Sequence, residues 1–198
     1  MQARIAVLAG DGIGPEVTAQ AARVMTALAS RFGHTFDFHC ALIGASAMDA
    51  GQPPLPEDTV SACRDADAVL LGAVGDPRYS DPNASVRPEQ GLLALRKALG
   101  LYANLRPVVP HEGIRDASPI KADRLEGVDL LVVRELTGGM YFGEKTESET
   151  AARDVCDYTA EEVERVTRMA CRSEEHTSEL QSLTNHVCRI QSEKGGRG

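Results

Sequence analysis

The first 32 residues of the chain pass from an apolar run to a helical pattern, and this order constrains the fold more than any other feature. Residues 4–9 (RIAVLA) are a short apolar run that stops at Gly10, and a helix-like stretch follows from Pro15 to about residue 32. Proline suits the first turn of a helix because the N–H that it lacks has no partner there. The sequence therefore predicts a strand, a loop and a helix in succession.

The same alternation continues along the chain. Four runs that are apolar, or that alternate with polar residues, predict further strands at 36–40, 68–74, 101–109 and 128–134. Helical patterns begin at about Glu57 and cover 91–98, and Thr159 with Glu162 makes a capping box that opens a last helix at 160–170. Strands that alternate with helices predict an α/β fold with a largely parallel sheet.

Composition excludes several classes of protein. The 198 residues are 42% hydrophobic, which is enough for one sizeable core and the start of a second domain. We find neither a signal-peptide pattern nor an apolar run of about 18 residues, so we expect a cytoplasmic protein that does not bind membranes. A net charge of −8 and 4% aromatic residues argue against nucleic acid as a partner. The chain has no excess of basic residues to neutralise phosphates, and it has few aromatic residues on which bases could stack.

The cysteines predict neither disulfides nor zinc. Their number is odd and no two of them form a CxxC pair, so we expect reduced and mostly buried thiols. They are Cys40, Cys63, Cys156, Cys171 and Cys188.

The glycine-rich segment GDGIGPEV at 10–17 invites a dinucleotide-binding interpretation, because glycines between a strand and a helix let backbone amides approach phosphate. The Rossmann fingerprint requires GxGxxG. Counted from Gly10, the third glycine is replaced by Pro15, and counted from Gly12 it is replaced by Val17. A tight turn from strand to helix is the better interpretation.

Three arginines suggest a binding site for a small dicarboxylate. Arg96 and Arg106 lie in GLLALRKALGLYANLRP at 91–107, and Arg134 lies in VRELTGGMYFG at 133–143. Guanidinium groups are permanently charged planar forks that grip carboxylates through paired hydrogen bonds. Each arginine taken alone could equally be a surface charge in an ion pair of little energy.

Four motifs together, GDGIGPEV, LGAVGDP, GLLALRKALGLYANLRP and VRELTGGMYFGEK, resemble the 3-isopropylmalate dehydrogenases in order and spacing from residue 3 to about 170. The resemblance implies an α/β, isopropylmalate dehydrogenase-like two-domain fold that is not a Rossmann fold and is truncated here. It also implies a first-domain portion at 1–107 and the start of a second domain at 108–170. Family members are homodimers, and 140–158 matches the region that forms their intersubunit arm.

The resemblance implies NAD-dependent oxidation of (2R,3S)-3-isopropylmalate, metal-assisted loss of a carboxylate and formation of 4-methyl-2-oxopentanoate, a reaction of leucine biosynthesis. Arg96, Arg106 and Arg134 match the arginines that hold the malate carboxylates. Tyr141 matches the catalytic tyrosine that supplies a proton to the enol.

Leu92 and Leu93 favour the isopropyl substrate over isocitrate. An alkyl arm buried against leucine gains about 1.5 to 3 kcal/mol, whereas an unpaired carboxylate there would cost more. The arginines are common to the sister enzymes, so a dehydrogenase of tartrate, malate, homoisocitrate or isocitrate stays an alternative.

The resemblance also assigns a segment to the cofactor. Residues 76–89 align with the family segment beside the nicotinamide end of NAD, with Glu89 closest to the ring and with Asp76 where glycine is common. The assigned residues are Asp76, Pro77, Arg78, Tyr79 and Glu89.

The C-terminal residues depart from the family pattern. Residues 172–182 (RSEEHTSELQS) look like the translation of a sequencing-adapter oligonucleotide, so 171–198 is expected to be a non-native tail. Cys171, His176, His186 and Cys188 fit no zinc spacing.

The family's lysine and its Mg²⁺- or Mn²⁺-binding aspartates match positions past this departure. We therefore expect no metal ligand in this chain, and we expect the polypeptide as written to be inactive. A non-catalytic fragment is the second class of function that the sequence leaves open.

Overall fold

The computed structural model describes residues 1–79, 81 and 84–174, and of these it leaves out the side chains of 114–116, 141, 173 and 174. The chain forms two compact units, Met1–Leu101 and Tyr102–Gly198. The units divide a few residues before the domain boundary expected at 107, because the Tyr102 carbonyl already accepts a hydrogen bond from Leu136 N in the second unit. The domain boundaries themselves stay a prediction.

The first unit alternates strands and helices in the predicted order. In sequence it contains β1 (Gln2–Gly10), α1 (Gly14–Phe32), β2 (Thr35–Cys40), α2 (Ala45–Asp49), α3 (Glu57–Asp65), β3 (Ala68–Ala73), a 3-10 turn (Pro77–Tyr79) and α4 (Pro88–Ala98). The short helix α2 and the 3-10 turn had no signal in the sequence pattern.

The three strands of the first unit form a parallel sheet in the order β2-β1-β3. Ile5 in β1 lies between Phe38 of β2 and Ala68 of β3. Residues 5–8 are all buried, which is the pattern of a central strand covered on both faces. Leu8 packs in one core cluster with Ile43, Cys63 and Leu95, which come from three other segments.

In the described part of the chain, both neighbours of β1 are edge strands. Although the run 68–74 is apolar, β3 is only half-buried and Leu71 is 36% exposed. An edge strand has a neighbour on one side only, so part of its surface stays open. Large apolar side chains also remain exposed on α1, among them Val24, Leu28 and Phe32.

The second unit is built from shorter elements. They are β4 (Ala103–Val108), a 3-10 helix (Glu112–Ala117), α5 (Ala122–Leu125), β5 (Leu130–Glu135), a 3-10 turn (Gly139–Tyr141), β6 (Lys145–Glu147), β7 (Ala152–Asp154) and α6 (Ala160–Glu174).

Strands β4 and β5 pair antiparallel, and so do β6 and β7. The expectation of a largely parallel sheet is therefore right for the first unit and wrong for the second. A parallel pair needs a crossover helix that packs on the sheet, and the connection between β4 and β5 holds only a 3-10 helix and the single turn α5.

The capping box predicted for the last helix is confirmed. Thr159 N donates to Glu162 Oε2 at 2.8 Å, and Glu162 N donates to Thr159 Oγ1 at 3.2 Å. These bonds satisfy amides that have no partner within the helix, and the hydrogen bonds from Thr159 lower the pKa of Glu162. The helix continues to Glu174, past the predicted end at 170.

No helix in the described part of the chain is long and apolar enough to cross a membrane.

In the described part of the chain, the cysteines are free, as expected, but mostly not buried. Of the four that the structure describes, Cys63 is buried, and burial raises the pKa of its thiol. Cys40, Cys156 and Cys171 are exposed. Cys40 ends the strand β2, and Cys171 lies in the last turns of α6.

Candidate functional site

Asp11, in the loop between β1 and α1, is a buried carboxylate that joins three segments of the first unit. Its Oδ2 accepts hydrogen bonds from the backbone nitrogens of Ala45 and Gly75, each at 2.9 Å, and its Oδ1 accepts one from Ser46 N at 2.8 Å. Asp11 thereby caps the start of α2 and holds the segment that follows β3. Sequence reasoning treated this loop as a turn and missed Asp11; an acidic residue between two glycines after a buried strand was the available signal.

Gly10 explains why the loop is glycine-rich. Its φ is +73°, and a Cβ at this position would lie 1.9 Å from the carbonyl oxygen of Ala73. Asp11 N donates to the same oxygen at 2.7 Å. The glycine lets β1 leave the sheet in close contact with β3, which is the tight turn that the sequence predicts.

Asp49, the last residue of α2, holds the segment assigned to the cofactor. Its Oδ2 lies 2.8 Å from Arg78 Nη2, and its Oδ1 accepts a hydrogen bond from Tyr79 Oη at 2.7 Å. The same guanidinium nitrogen is 2.9 Å from Asp76 Oδ2. Hydrogen bonds from Arg78 lower the pKa of both Asp49 and Asp76, and the bond to Asp49 raises the pKa of Tyr79. Asp49 lies 29 residues before Arg78 in the sequence and was not predicted.

Glu89 lies in the first turn of α4, next to Gly75. A Cβ at position 75 would lie 2.9 Å from Glu89 Oε1, and the φ of Gly75 is +135°. Glycine at this position therefore leaves room for the carboxylate beside the segment that begins with Asp76. Glu89 itself is exposed.

Helix α4 presents two different faces. Leu95 is 3% exposed and belongs to the core, while a Cβ at Gly91 would meet the Pro54 carbonyl oxygen at 2.4 Å. The opposite face is the one that the sequence assigns to substrate and cofactor, because residues three and four apart on a helix lie together. It carries Glu89, Leu92, Leu93 and Arg96, of which the last three are half-buried.

Arg106 and Arg134 lie on one face of the β4–β5 pair. Asn104 is directly opposite Arg134 in the antiparallel register, and directly opposite residues project to the same side. Arg106, two residues along β4, shares that side, and its Nε donates to Asn104 Oδ1 at 3.0 Å. Both arginines are exposed.

Tyr141 ends the 3-10 turn Gly139–Tyr141, and its side chain lies outside the described residues. The turn before it is held by Glu135, which sequence reasoning also missed. Its Oε2 accepts hydrogen bonds from Thr137 N and Gly138 N, both at 2.7 Å.

The predicted set of residues is thus divided between the two units. Arg96, Leu92 and Leu93 belong to the first, and Arg106 and Arg134 belong to the second. The convergence of the three arginines on one ligand stays a prediction.

The described residues were also compared with the side-chain groups that bind metal ions. Among the described residues there is no group of three or more His, Cys, Asp or Glu side chains that could hold a metal ion. In the tail, Cys171 is exposed on α6, whereas His176, His186 and Cys188 lie outside the described residues.

The profile of the isocitrate/isopropylmalate dehydrogenase family matches residues 4–188, and the chain belongs to that family. The match includes part of the segment 171–198 that was expected to be non-native.

Several named proteins are similar to this chain in sequence or structure. The chain is 54% identical over 172 residues to the 3-isopropylmalate dehydrogenase of Geobacillus kaustophilus, covering 84% of this chain and 46% of that protein. Two solved structures are also similar. A β-decarboxylating dehydrogenase from Thermococcus kodakarensis has a TM-score of 0.58 at 35% identity, covering 84% of this chain and 44% of that one. Isocitrate dehydrogenase from Methylococcus capsulatus has a TM-score of 0.66 at 29% identity, with 84% and 46% covered. The chain spans about half the length of the curated relatives it matches.

Proposed function

We propose that the protein to which this chain belongs oxidises and decarboxylates (2R,3S)-3-isopropylmalate to 4-methyl-2-oxopentanoate with reduction of NAD, as a step of leucine biosynthesis. The observation that carries the proposal is the shared face of Arg106 and Arg134. Two permanently charged guanidinium groups on one side of a short hairpin make a local positive field in a chain of net charge −8. A substrate with two carboxylates is complementary to such a face.

The alkyl part of the substrate is assigned to α4. Leu92 and Leu93 are half-buried beside Arg96, so one face of the helix offers both apolar surface and a charge. This combination supports an isopropyl-bearing dicarboxylate over isocitrate, whose third carboxylate would meet leucine. Relatives named 3-isopropylmalate dehydrogenase support the same choice. The sister dehydrogenases of tartrate, malate, homoisocitrate and isocitrate are the second candidate, since they use the same type of arginine set.

The residues assigned to NAD suit a cationic ring. The space beside Gly75, which a Cβ would fill, is bordered by the exposed carboxylate of Glu89. A carboxylate there complements the positive charge of oxidised nicotinamide. Asp76, Pro77, Arg78 and Tyr79 form the adjoining segment. In the proposed reaction, bound NAD would supply the acceptor for the hydride that leaves the substrate's 2-carbon.

The residues of this chain have three tasks in the proposed reaction. Arg96, Arg106 and Arg134 bind and orient the carboxylates, and the leucines exclude water from the alkyl arm. Tyr141 supplies a proton to the enol that remains after decarboxylation. The described residues do not fit a metal site, so we assign no step to Mg²⁺ or Mn²⁺ through them, and a metal belongs to the proposal only for the full-length protein.

A homodimer in the cytoplasm is part of the same proposal. Within the part of the chain that the structure describes, strands β6 and β7 pair only with each other, and their six residues are all exposed. An isolated two-stranded hairpin is marginally stable in water, so a second copy of the chain that covers this hairpin would stabilise it. Light scattering of the purified protein, with a variant that lacks 145–154, measures this directly.

The experiment for the proposed activity starts by resequencing the gene around codon 171 and expressing the resulting reading frame. NADH formation is then measured with 3-isopropylmalate, tartrate, malate, homoisocitrate and isocitrate in the presence of Mg²⁺ or Mn²⁺. We expect the highest kcat/KM with 3-isopropylmalate. A higher value with another acid selects the sister enzyme, and no NADH with any of them would overturn the proposed activity.

The 198-residue chain and the variant R106Q of the full reading frame are measured beside it. R106Q removes one of the three guanidinium groups proposed to bind the substrate carboxylates. We expect its KM for 3-isopropylmalate to rise by about tenfold or more. R124Q changes an exposed arginine of α5 and should leave the KM unchanged.

A further inference from the structure

Glu135 ends strand β5, and its carboxylate accepts several hydrogen bonds. Its side chain is 9% exposed. Oε2 accepts from the backbone nitrogens of Thr137 and Gly138 at 2.7 Å each, and Oε1 accepts from Thr137 Oγ1 at 2.5 Å. All three partners are donors, so the site requires a group that only accepts, which is an ionised carboxylate.

The residues held by Glu135 lie between two residues of the proposed site. Arg134 precedes Glu135 and projects to the opposite side of the strand, and Tyr141 ends the 3-10 turn that follows. The next amide, Gly139 N, donates to the Asp157 carbonyl at 2.9 Å. Three consecutive amides from 137 to 139 are therefore fixed before the chain reaches Tyr141.

Aromatic and cationic groups close the other sides of this turn. A Cβ at Gly138 would lie 2.8 Å from Tyr158 Cδ1, so the ring of Tyr158 packs directly against the glycines. Arg165 of α6 donates to Thr137 Oγ1, lies 3.6 Å from Glu135 Oε1 and stacks over the Tyr102 ring at 5.0 Å. Tyr158 and Arg165 therefore both contact the turn.

We propose that Glu135, as a carboxylate, is the positioning residue that fixes the 137–139 turn and thereby the placement of Tyr141 relative to Arg134. The inference depends on the proposed function only for what Tyr141 and Arg134 do. Burial raises the pKa of Glu135, but the hydrogen bonds from Thr137, Gly138 and Leu136 outweigh it and lower the pKa overall. The group is therefore ionised at neutral pH.

Hydrogen exchange tests the geometric part without any activity. In the 198-residue chain, we expect Glu135→Gln to raise the exchange rates of the 137–143 amides by about tenfold or more, because the amide group of glutamine places a donor against donors. Glu161→Gln, an exposed residue in the first turn of α6, is the matched control and should leave these rates unchanged. Unchanged rates in Glu135→Gln would overturn the proposal.

Rapid-mixing kinetics on the full reading frame test the functional part. With 3-isopropylmalate, Glu135→Gln should give a first burst of NADH as large as that of the wild type. The steady rate that follows should be lower than that of the wild type by about tenfold or more. The burst counts competent sites, so a loss of folded enzyme would shrink it, whereas a misplaced Tyr141 slows only the later proton transfer. A smaller burst with an unchanged steady rate per site would show a structural role and overturn the proposal.

The two measurements separate the inference from the proposed function. If the wild type forms no NADH from 3-isopropylmalate, the proposed function fails, while the exchange rates still decide whether Glu135 holds the turn. If the wild type is active and both readouts of Glu135→Gln match it, the proposed function stands and Glu135 has no positioning role.

Discussion

The carboxylate of Asp11 accepts a hydrogen bond from the backbone nitrogen of Gly75 at 2.9 Å, and the two residues are 64 positions apart in the sequence. Gly75 immediately precedes the segment assigned to NAD. The bond therefore links the first loop of the chain to the proposed cofactor side through a single buried group.

Replacing Asp11 by alanine should destabilise the first unit. The change leaves the amides of Ala45, Ser46 and Gly75 without their acceptor, and we expect the free energy of unfolding to fall by about 3 kcal/mol. Urea unfolding of the 198-residue chain measures the loss. D37N alters an exposed aspartate of β2 and should change stability by less than about 0.5 kcal/mol. Equal stability of D11A and D37N would contradict the role given to Asp11.

Two glycines of the same loop should respond differently to alanine. Gly10 and Gly12 both have positive φ, but a Cβ at Gly10 would meet the Ala73 carbonyl, whereas a Cβ at Gly12 has nothing within 4 Å among the described residues. G12A should cost about 1 to 2 kcal/mol from backbone strain alone. G10A carries the same strain and also pushes β3 away, so its loss should exceed that of G12A. Thermal unfolding of the two variants side by side measures the difference.

The Asp49 contact with Arg78 and Tyr79 should matter for cofactor binding more than for stability. Arg78 is 63% exposed, so its ion pair is screened by solvent. In the full reading frame, D49N should raise the KM for NAD several-fold with little change in kcat, because the 76–79 segment loses its anchor. Initial rates at varied NAD measure this, with D58N, an exposed aspartate of α3, as the control. A D49N enzyme with the wild-type KM for NAD would mean that the contact between Asp49 and the 76–79 segment does not contribute to cofactor binding.

Shortening Leu92 should affect substrates according to their alkyl arm. L92A should lower kcat/KM for 3-isopropylmalate by about tenfold or more, which corresponds to the loss of about 1.5 to 3 kcal/mol of apolar contact. Malate lacks the arm, and its kcat/KM should change by less than about threefold. L101A removes a leucine that is 45% exposed and serves as the control. Equal losses for both substrates would mean that Leu92 is only a packing residue.

The stability of the second unit should depend on pH through Glu135. Its pKa in the folded chain lies below its ordinary value, so the ionised carboxylate adds stability above about pH 4.3 and this contribution is lost as pH falls through the folded pKa. Arg165 and Glu162 of α6 are the charged groups that face it. We expect the melting temperature to fall between about pH 5 and pH 3, and E135Q to remove part of this slope. E161Q should keep the slope of the wild type.

Local signals predicted most of the elements. The apolar run before Gly10, Pro15 in the first turn of α1 and the Thr159–Glu162 capping box each act within a few residues, so a pattern read along the chain found them. The antiparallel pairing of β4 with β5 was not predicted. Strand direction depends on the path of the connection, and apolar runs look alike in both directions.

The candidate site was predicted unevenly for the same reason. The shared face of Leu92, Leu93 and Arg96 follows from helix periodicity, and that of Asn104 and Arg106 follows from strand alternation. Asp11 had only its place between two glycines as a signal, and Asp49 and Glu135 had no comparable pattern. The role of all three depends on backbone amides or side chains that the fold brings to them, which local sequence does not indicate.

The sequence by itself determined the order of strands and helices, the glycines at tight turns and the faces that carry the arginines and leucines, because these depend on backbone geometry over one or two turns. Only the tertiary structure decided which carboxylates hold the site segments. Asp11 reaches Ala45 and Gly75, and Asp49 reaches Arg78, across 29 to 64 residues of chain. A hydrogen bond forms where donor and acceptor are brought within about 3 Å, and sheet register and packing, not sequence distance, set that separation.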